Sequence, residues 1–363
     1  MIPTRLKTLL GYHLAPKYLP APSSVSINLT PHCNLKCRMC WQYADERGIF
    51  NRTNRHSAYP LLSLTEWSSV IDELANFHSR IMLWGGEPFL YPQLLQLLQY
   101  IKGKSLTVQL ITNGTLLKEH AASIVSLGVE KIVISIDGTD ELHDQIRGVP
   151  GTFQRVKEGI LELDREKKLA AAQYPQIVVN FTISPMNHSR IIETVKTLEA
   201  LPVQSLIISH LWFTTRELGE EYQLFYRKIF HSEAPSWQGF LQEVSEINLD
   251  TLAQQINEIS SRKNRLPVTY IPCLSRGQIR VYYREPDNNL NHYRCLAPWR
   301  TSAILPNGDV TPCADRPDFI VGNIRDKGFK ELWHSERYNY FRKVLKEQGL
   351  FPLCYRCCEL FLH

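Results

Sequence analysis

Residues 25–41, VSINLTPHCNLKCRMCW, decide how this chain is read. Val25–Thr30 is a short, β-branched run of the kind that forms a buried parallel strand. Cys33, Cys37 and Cys40 follow it directly, in what reads as a loop. Three thiolates at this spacing can converge on one centre. Structural zinc usually takes four protein ligands, and His32 adjoins Cys33 too closely to serve the same ion comfortably. Cubane iron–sulfur clusters are otherwise held by four cysteines, so a three-cysteine set leaves one iron open to a small molecule. The competing reading is three buried thiols packing as small hydrophobes.

Five further runs share the character of the first: Arg80–Trp84, Leu106–Ile111, Lys131–Ile136, Gln176–Ile183 and Ser205–Ser209. Helical patterns separate them. Ser63 with Glu66 reads as a capping box, ahead of an apolar face of Trp67, Val70, Ile71 and Leu74. Pro92 opens a second helix, a third runs from Leu116 to Leu127 and stops at Gly128, a fourth starts near Thr152, and a fifth follows Asn187 and Ser189. Six strands with five intervening helices predict a βα-repeating α/β domain with a parallel sheet. Six units are too few for an eight-fold barrel. A partial barrel and an open doubly wound sheet both fit, and either places functional residues at the carboxyl ends of strands.

The chain has 363 residues, 44% of them hydrophobic and 21% charged, enough for a large domain with a smaller companion. Lys and Arg number 41 against 36 acids, without a basic block, so a nucleic-acid partner is not expected. No apolar run is long enough for a membrane span, and residues 1–22 carry no long apolar signal segment. A cytoplasmic protein with no membrane partner is therefore the expectation. Nine cysteines are too few for a disulfide scaffold and fall in two groups at opposite ends. The expected organisation is an N-terminal segment 1–22, the barrel 23–213, a helical bridging or substrate segment 214–266, and a small C-terminal domain 267–363. In that last domain Asn307-Gly308 joins Thr301–Leu305 to Val310–Pro312 as a hairpin.

Pro31–Trp41 resembles the CxxxCxΦC loop of the radical S-adenosylmethionine (SAM) superfamily, with Met39 at the Φ position. The likeness continues in order. Gly85-Gly86-Glu87-Pro88 is similar to the family's GGEP, Thr112-Asn113-Gly114 to its TNG, and Ser135-Ile136-Asp137-Gly138 with His143-Asp144-x-x-Arg147-Gly148 to motifs of its peptide- and sugar-modifying branch. The resemblance implies a partial (β/α)6 TIM-like barrel in which Cys33, Cys37 and Cys40 hold a [4Fe–4S] cluster. It also implies a SAM site formed by Met39, Trp41, Gly85, Gly86, Glu87, Pro88, Asn113, Ser135, Asp137 and Arg147. Arg147 is the candidate for the SAM carboxylate, since its planar fork matches that group; a solvated loop arginine is the alternative.

Cys295-Leu-Ala-Pro-Trp299, Asn307 to Cys313, Gly322-Asn323-Ile324, Glu331-Leu-Trp333 and Cys354-x2-Cys357 resemble the SPASM/twitch extension of such enzymes. The resemblance implies a small α+β domain in which Cys295, Cys313, Cys354 and Cys357 hold one auxiliary [4Fe–4S] cluster. Four-thiolate zinc is the competing reading, and Cys358 is an alternative to its neighbour. Cys273 and Cys358 are left over, with Cys358 a candidate hydrogen-atom donor; a spare cysteine is more often a small core residue.

The implied activity is reductive cleavage of SAM to a 5′-deoxyadenosyl radical that takes a hydrogen atom from an unactivated C–H bond. The first expected substrate is a ribosomally made peptide, undergoing crosslinking, epimerisation or backbone excision. Only 24 residues precede the first strand, so a separate leader-recognition partner is expected, together with a reductant such as flavodoxin or ferredoxin. A sugar or aminocyclitol dehydrogenase or epimerase is the second expectation, and a non-enzymatic zinc or iron–sulfur protein the third.

Overall fold

The computed structural model describes residues 4–13, 19–42, 48 and 60–361. Seven strands follow one another across a parallel sheet: β1 (Ser24–Asn28), β2 (Arg80–Trp84), β3 (Val108–Thr112), β4 (Lys131–Ser135), β5 (Gln176–Thr182), β6 (Ser205–Ser209) and β7 (Val268–Ile271). On the other side of β1 lie β8 (Thr301–Ile304), also parallel to it, then β9 (Asp309–Thr311) and β10 (Gly322–Asn323), which are antiparallel. The helices, in chain order, are α1 (Thr4–His13), α2 (Leu64–Phe77), α3 (Leu94–Gly103), α4 (Leu117–Ser126), α5 (Asp140–Arg147), α6 (Thr152–Leu169), α7 (Ile191–Glu199), α8 (Arg216–Phe230), α9 (Leu249–Ser261), α10 (Arg276–Arg284), α11 (Phe329–His334), α12 (Glu336–Gln348) and α13 (Cys358–Phe361).

The six expected βα units are present, in an α/β fold whose C-terminal region adds antiparallel strands. The strands form because each buries apolar side chains between layers; Val25 and Ile27, Ile81 and Leu83, and Ile132 and Ile134 are all fully buried. The Ser63 capping box has the expected geometry, with Ser63 N–H and Oγ–H both donating to the Glu66 carboxylate, and Trp67, Val70, Ile71 and Leu74 form the buried face of α2. Two pairings were not anticipated. β7, within the segment 267–363, extends the parallel sheet from β6, and β8 lies against β1 with Val25 opposite Ser302. The β8–β9 hairpin thereby covers the edge of β1 that would otherwise present unpaired backbone groups.

Two acids on α2 fasten the C-terminal region to the barrel. Glu73 Oε2 accepts the Lys330 N–H at the start of α11 at 2.8 Å, and Glu66 Oε1 accepts Arg325 Nε–H at 2.5 Å. The hydrogen bond from Arg325 holds the Glu66 carboxyl down at about 2, below its ordinary 4.5. A depressed carboxylate stabilises the fold above its ordinary value and ceases to do so as pH falls through the folded value. Glu66 is partly exposed, so the contribution is limited to about 1 kcal/mol. Glu66→Gln is expected to lower the unfolding free energy at pH 7 by that amount. The difference from wild type should shrink between pH 4.5 and 2, as measured by urea titrations across that range.

Candidate functional site

The loop after β1 is fastened on three sides by backbone and amide hydrogen bonds. Gly86 and Glu87 N–H donate to the carbonyls of Thr30 (2.8 Å) and His32 (2.7 Å). Lys36 and Arg38 N–H donate to the carbonyls of Arg147 (3.0 Å) and Ile146 (2.9 Å), groups that the C-terminus of α5 leaves without an intrahelical partner. Asn113 Nδ2 donates to Asn34 Oδ1 (2.8 Å), and Asn34 Nδ2 donates to Thr115 Oγ1 (2.9 Å). Two glycines permit the approach. A Cβ on Gly86 would lie 2.1 Å from the His32 carbonyl oxygen, and one on Gly148, at φ +74°, 2.5 Å from that of Lys36.

The loop thus presents Cys33, Cys37 and Cys40 together, with donors aimed at two of them: Asn113 Nδ2 lies 3.9 Å from Cys33 Sγ and Arg147 Nη1 3.6 Å from Cys37 Sγ. Burial pushes the Cys33 thiol up to about 11, and the neighbouring Cys37, Glu87 and Cys40 push in the same direction. Three thiolates facing one another repel unless cationic iron lies among them, so this donor set fits an iron–sulfur cluster better than free thiols. Polar atoms buried without partners lie at the strand ends just before the loop: both amide atoms of Asn28 at the end of β1 and the indole N–H of Trp84, its neighbour at the end of β2. Groups of this kind are costly to leave unsatisfied and mark a place prepared for a ligand.

The structure brings most of the sequence-derived residues to this end of the sheet, several in other relations than expected. Glu87 is fully buried and accepts from Thr112 Oγ1 (2.7 Å), Asn113 N–H (2.8 Å) and Phe89 N–H (3.2 Å); burial raises its carboxyl to about 7. It therefore ties the end of β2 to the end of β3. Asp137 is fully buried, accepts the Thr182 N–H at 2.8 Å and forms an ion pair with Arg147. Burial alone would lower the proton affinity of Arg147, but Asp137 and Cys37 outweigh it and keep the guanidinium charged. Its fork is thus engaged by Asp137 and the cysteine loop. Pro88 starts a short 3-10 turn, Ser135 is half-buried at the end of β4, and Met39 packs on the core. Trp41 stacks on Phe240, with ring centres 4.9 Å apart and planes at 21°. Asn28 and Asn34 escaped the sequence reading; Asn34 had a signal in its place between Cys33 and Cys37.

In the C-terminal region Cys295, Cys313, Cys354 and Cys357 line one cavity of about 40 Å³, together with Tyr222, Tyr226, Arg316 and Phe351. Cys313 follows β9, and Cys354 and Cys357 share a turn in which Cys357 N–H donates to the Cys354 carbonyl at 3.1 Å. Burial raises all four thiols, that of Cys313 to about 12. Among the described residues no three His, Cys, Asp or Glu side chains form a ready-made site for a single metal ion; the four thiols surround a volume rather than a point. Cys358 starts α13 outside the cavity lining, beside Asp315, Glu359 and Cys313, while Cys273 is exposed. Segment 214–266 contributes Tyr222 and Tyr226 to the cavity and Phe240 to the stack on Trp41.

An open three-thiol loop at the carboxyl edge of a parallel sheet, with a second enclosed set of four thiols, defines an iron–sulfur enzyme with one ligand place left free. The chain belongs to the radical SAM superfamily, whose model matches residues 27–201, and carries a SPASM iron–sulfur cluster-binding domain at 295–358. It therefore has a SAM-binding [4Fe–4S] cluster and an auxiliary cluster. It is 31% identical to the AdoMet-dependent heme synthase of Methanosarcina barkeri over 93% of this chain and 88% of that one. It is 28% identical to that of Oleidesulfovibrio alaskensis, over 93% and 80%. The structure of Streptococcus suis SuiB bound to its precursor peptide SuiA shares the fold, with a TM-score of 0.62 and 17% identity, covering 93% of this chain and 70% of that one. No helix among the described residues is long and apolar enough to cross a membrane.

Gly86→Ala is expected to displace the cysteine loop while leaving the core folded. After anaerobic reconstitution its iron content should fall from about eight to about four atoms per chain, with the far-ultraviolet circular dichroism unchanged.

Proposed function

We propose that this enzyme oxidises an unactivated C–H bond of a carboxylate-bearing tetrapyrrole, using SAM at the open cluster and the auxiliary cluster as electron acceptor. The observation that carries this reading is the likeness to heme synthases, which extends along both chains rather than over the barrel alone. An aromatic wall at the carboxyl edge of the sheet suits such a substrate. Trp41 lies 6.0 Å from Trp84 and 4.9 Å from Phe240, which lies 6.1 Å from Trp212. A flat conjugated macrocycle stacks on rings of this kind.

In this reading Cys33, Cys37 and Cys40 bind the cluster. When bound, it supplies one electron to the SAM sulfonium, and the resulting 5′-deoxyadenosyl radical removes a hydrogen atom from substrate. Gly85 to Pro88, Asn113, Ser135 and Asp137 shape the SAM site. Glu87 acts from behind, by orienting Asn113. Arg147 keeps a cation beside Cys37 and is available to a SAM carboxylate by exchanging its contact with Asp137. Cys295, Cys313, Cys354 and Cys357 hold the auxiliary cluster, and an external one-electron reductant serves the open one. A ribosomal peptide with a separate recognition partner is the second reading. It is favoured by the fold shared with SuiB, a likeness of fold alone.

The test is anaerobic reconstitution with SAM and dithionite, followed by deuterated substrate. Cys33→Ala should abolish 5′-deoxyadenosine. Cys354→Ala should retain its formation while substrate oxidation falls at least tenfold. Deuterium should pass from an iron tetrapyrrole into 5′-deoxyadenosine. Transfer from a precursor peptide instead would replace the first reading with the second, and transfer from neither would remove both.

A further inference from the structure

Three arginines are almost fully buried in the C-terminal region, and two have evident structural work. Arg342 stacks on Tyr338 at 3.6 Å and donates to the carbonyls of Pro298 (2.8 Å) and Trp333 (2.9 Å). Arg356 donates to the carbonyls of Tyr282 (2.7 Å) and Glu285, closing the C-terminus of α10. Arg316 differs. It is 6% exposed and lines the same cavity as the four cysteines and Glu359. Its donors reach the carbonyls of Leu353 (2.8 Å), next to Cys354, and Asp315 (3.3 Å), while its Nε is buried without a partner. The nearby Asp315 carboxylate accepts the Cys357 thiol at 3.8 Å and also attracts the guanidinium. Burying a guanidinium is costly unless negative charge faces it; Asp315 supplies part of that charge, and Cys313, Cys354 and Cys357 as thiolates would supply the rest.

We propose that Arg316 is the counter-cation of the auxiliary cluster, a positioning residue that raises the cluster's reduction potential and so favours its acceptance of the substrate's electron. The inference rests on the electron-acceptor role proposed above. Four thiolates around a [4Fe–4S]²⁺ core carry a net charge of −2, which becomes −3 on reduction. A fixed positive charge in a low-dielectric site stabilises the more negative state, one of the ways in which protein tunes such potentials. The balance would be one electron from the substrate radical to the oxidised cluster, while a neighbouring C–H bond of the substrate breaks, its electron pair becoming the new double bond and its proton passing to solvent. The guanidinium also lies 4.1 Å from the centre of the Phe240 ring, which stacks on Trp41 beside Cys40. The cation therefore stands between the aromatic wall and the auxiliary thiols.

The measurement is an EPR-monitored redox titration of the fully loaded full-length enzyme. Added SAM perturbs the signal of the open cluster and thereby identifies the auxiliary one. Arg316→Gln should move the auxiliary midpoint to lower potential and leave the open cluster unmoved. Arg316→Lys should retain most of the wild-type value, and Phe240→Leu, which removes the ring but no charge, should leave it unchanged. An unaltered midpoint in fully loaded Arg316→Gln, or equal falls in the Gln and Lys variants, overturns the proposal. Should Arg316→Gln fail to retain the second cluster, full iron in Arg316→Lys supports the charge role, and loss in both overturns it. Undiminished substrate oxidation in Cys354→Ala would instead defeat the electron-acceptor role, while a shifted midpoint would still stand as a property of Arg316.

Discussion

The site depends on pressing the cysteine loop against the ends of β2 and α5. Four backbone N–H groups and four carbonyls meet there, and each finds its partner across the contact. Such hydrogen bonds contribute only about 1 kcal/mol each, but one left unmade in a buried place costs about 1–3 kcal/mol. The arrangement is therefore all-or-none: a loop displaced by an ångström would forfeit several partners at once. Gly86 and Gly148 are required because backbone meets backbone at these points with no room for a side chain. Glu87, Asn113 and Arg147 then act on the same loop from β2, β3 and α5, so the motif residues form one mechanical unit.

The second thiol set has a different physical basis. Its cysteines come from a loop, a hairpin and a terminal turn, and they converge because β8 takes the edge of β1 and brings the hairpin with it. The same pairing closes a vulnerable sheet edge and joins the strand before the cysteine loop and the hairpin before Cys313 in one continuous sheet. α8 adds the fully buried rings of Tyr222 and Tyr226, with the Tyr222 hydroxyl donating to Asp318 at 3.2 Å. The segment following the first six units thus braces the second cavity, and through Phe240 it also reaches the mouth of the first.

Much of this was legible because parallel strands between layers read as short apolar runs and the helices carry clean apolar stripes. The capping box at Ser63 and the hairpin at Asn307-Gly308 appear where their chemistry puts them. α5 was read only as a polar motif, since DELHDQIR has Leu142 and Ile146 as its apolar residues and no continuous stripe. It is held by tertiary contacts instead, with His143, Ile146 and Arg147 buried. β7 is four residues, mostly half-buried, between Pro267 and Pro272, and so lacked the signature of an interior strand. The parallel contact of β8 with β1 joins residues far apart along the chain, beyond the reach of any local pattern.

What the sequence determined by itself was the inventory of candidate donors: three thiols in one loop, six more from Cys273 onward, and the glycines, carboxylates and amides at strand ends. Spacing along a covalent chain limits which of these can converge. Only the tertiary structure decided which buried charge faces which sulfur. Arg147 reaches Cys37 across 110 positions, and Arg316 lines the cavity of the four C-terminal thiols while donating to the carbonyls of Asp315 and Leu353. A guanidinium on a long, flexible side chain goes where burial and the nearest acceptors together leave it most stable, and those acceptors exist only once the distant segments have packed.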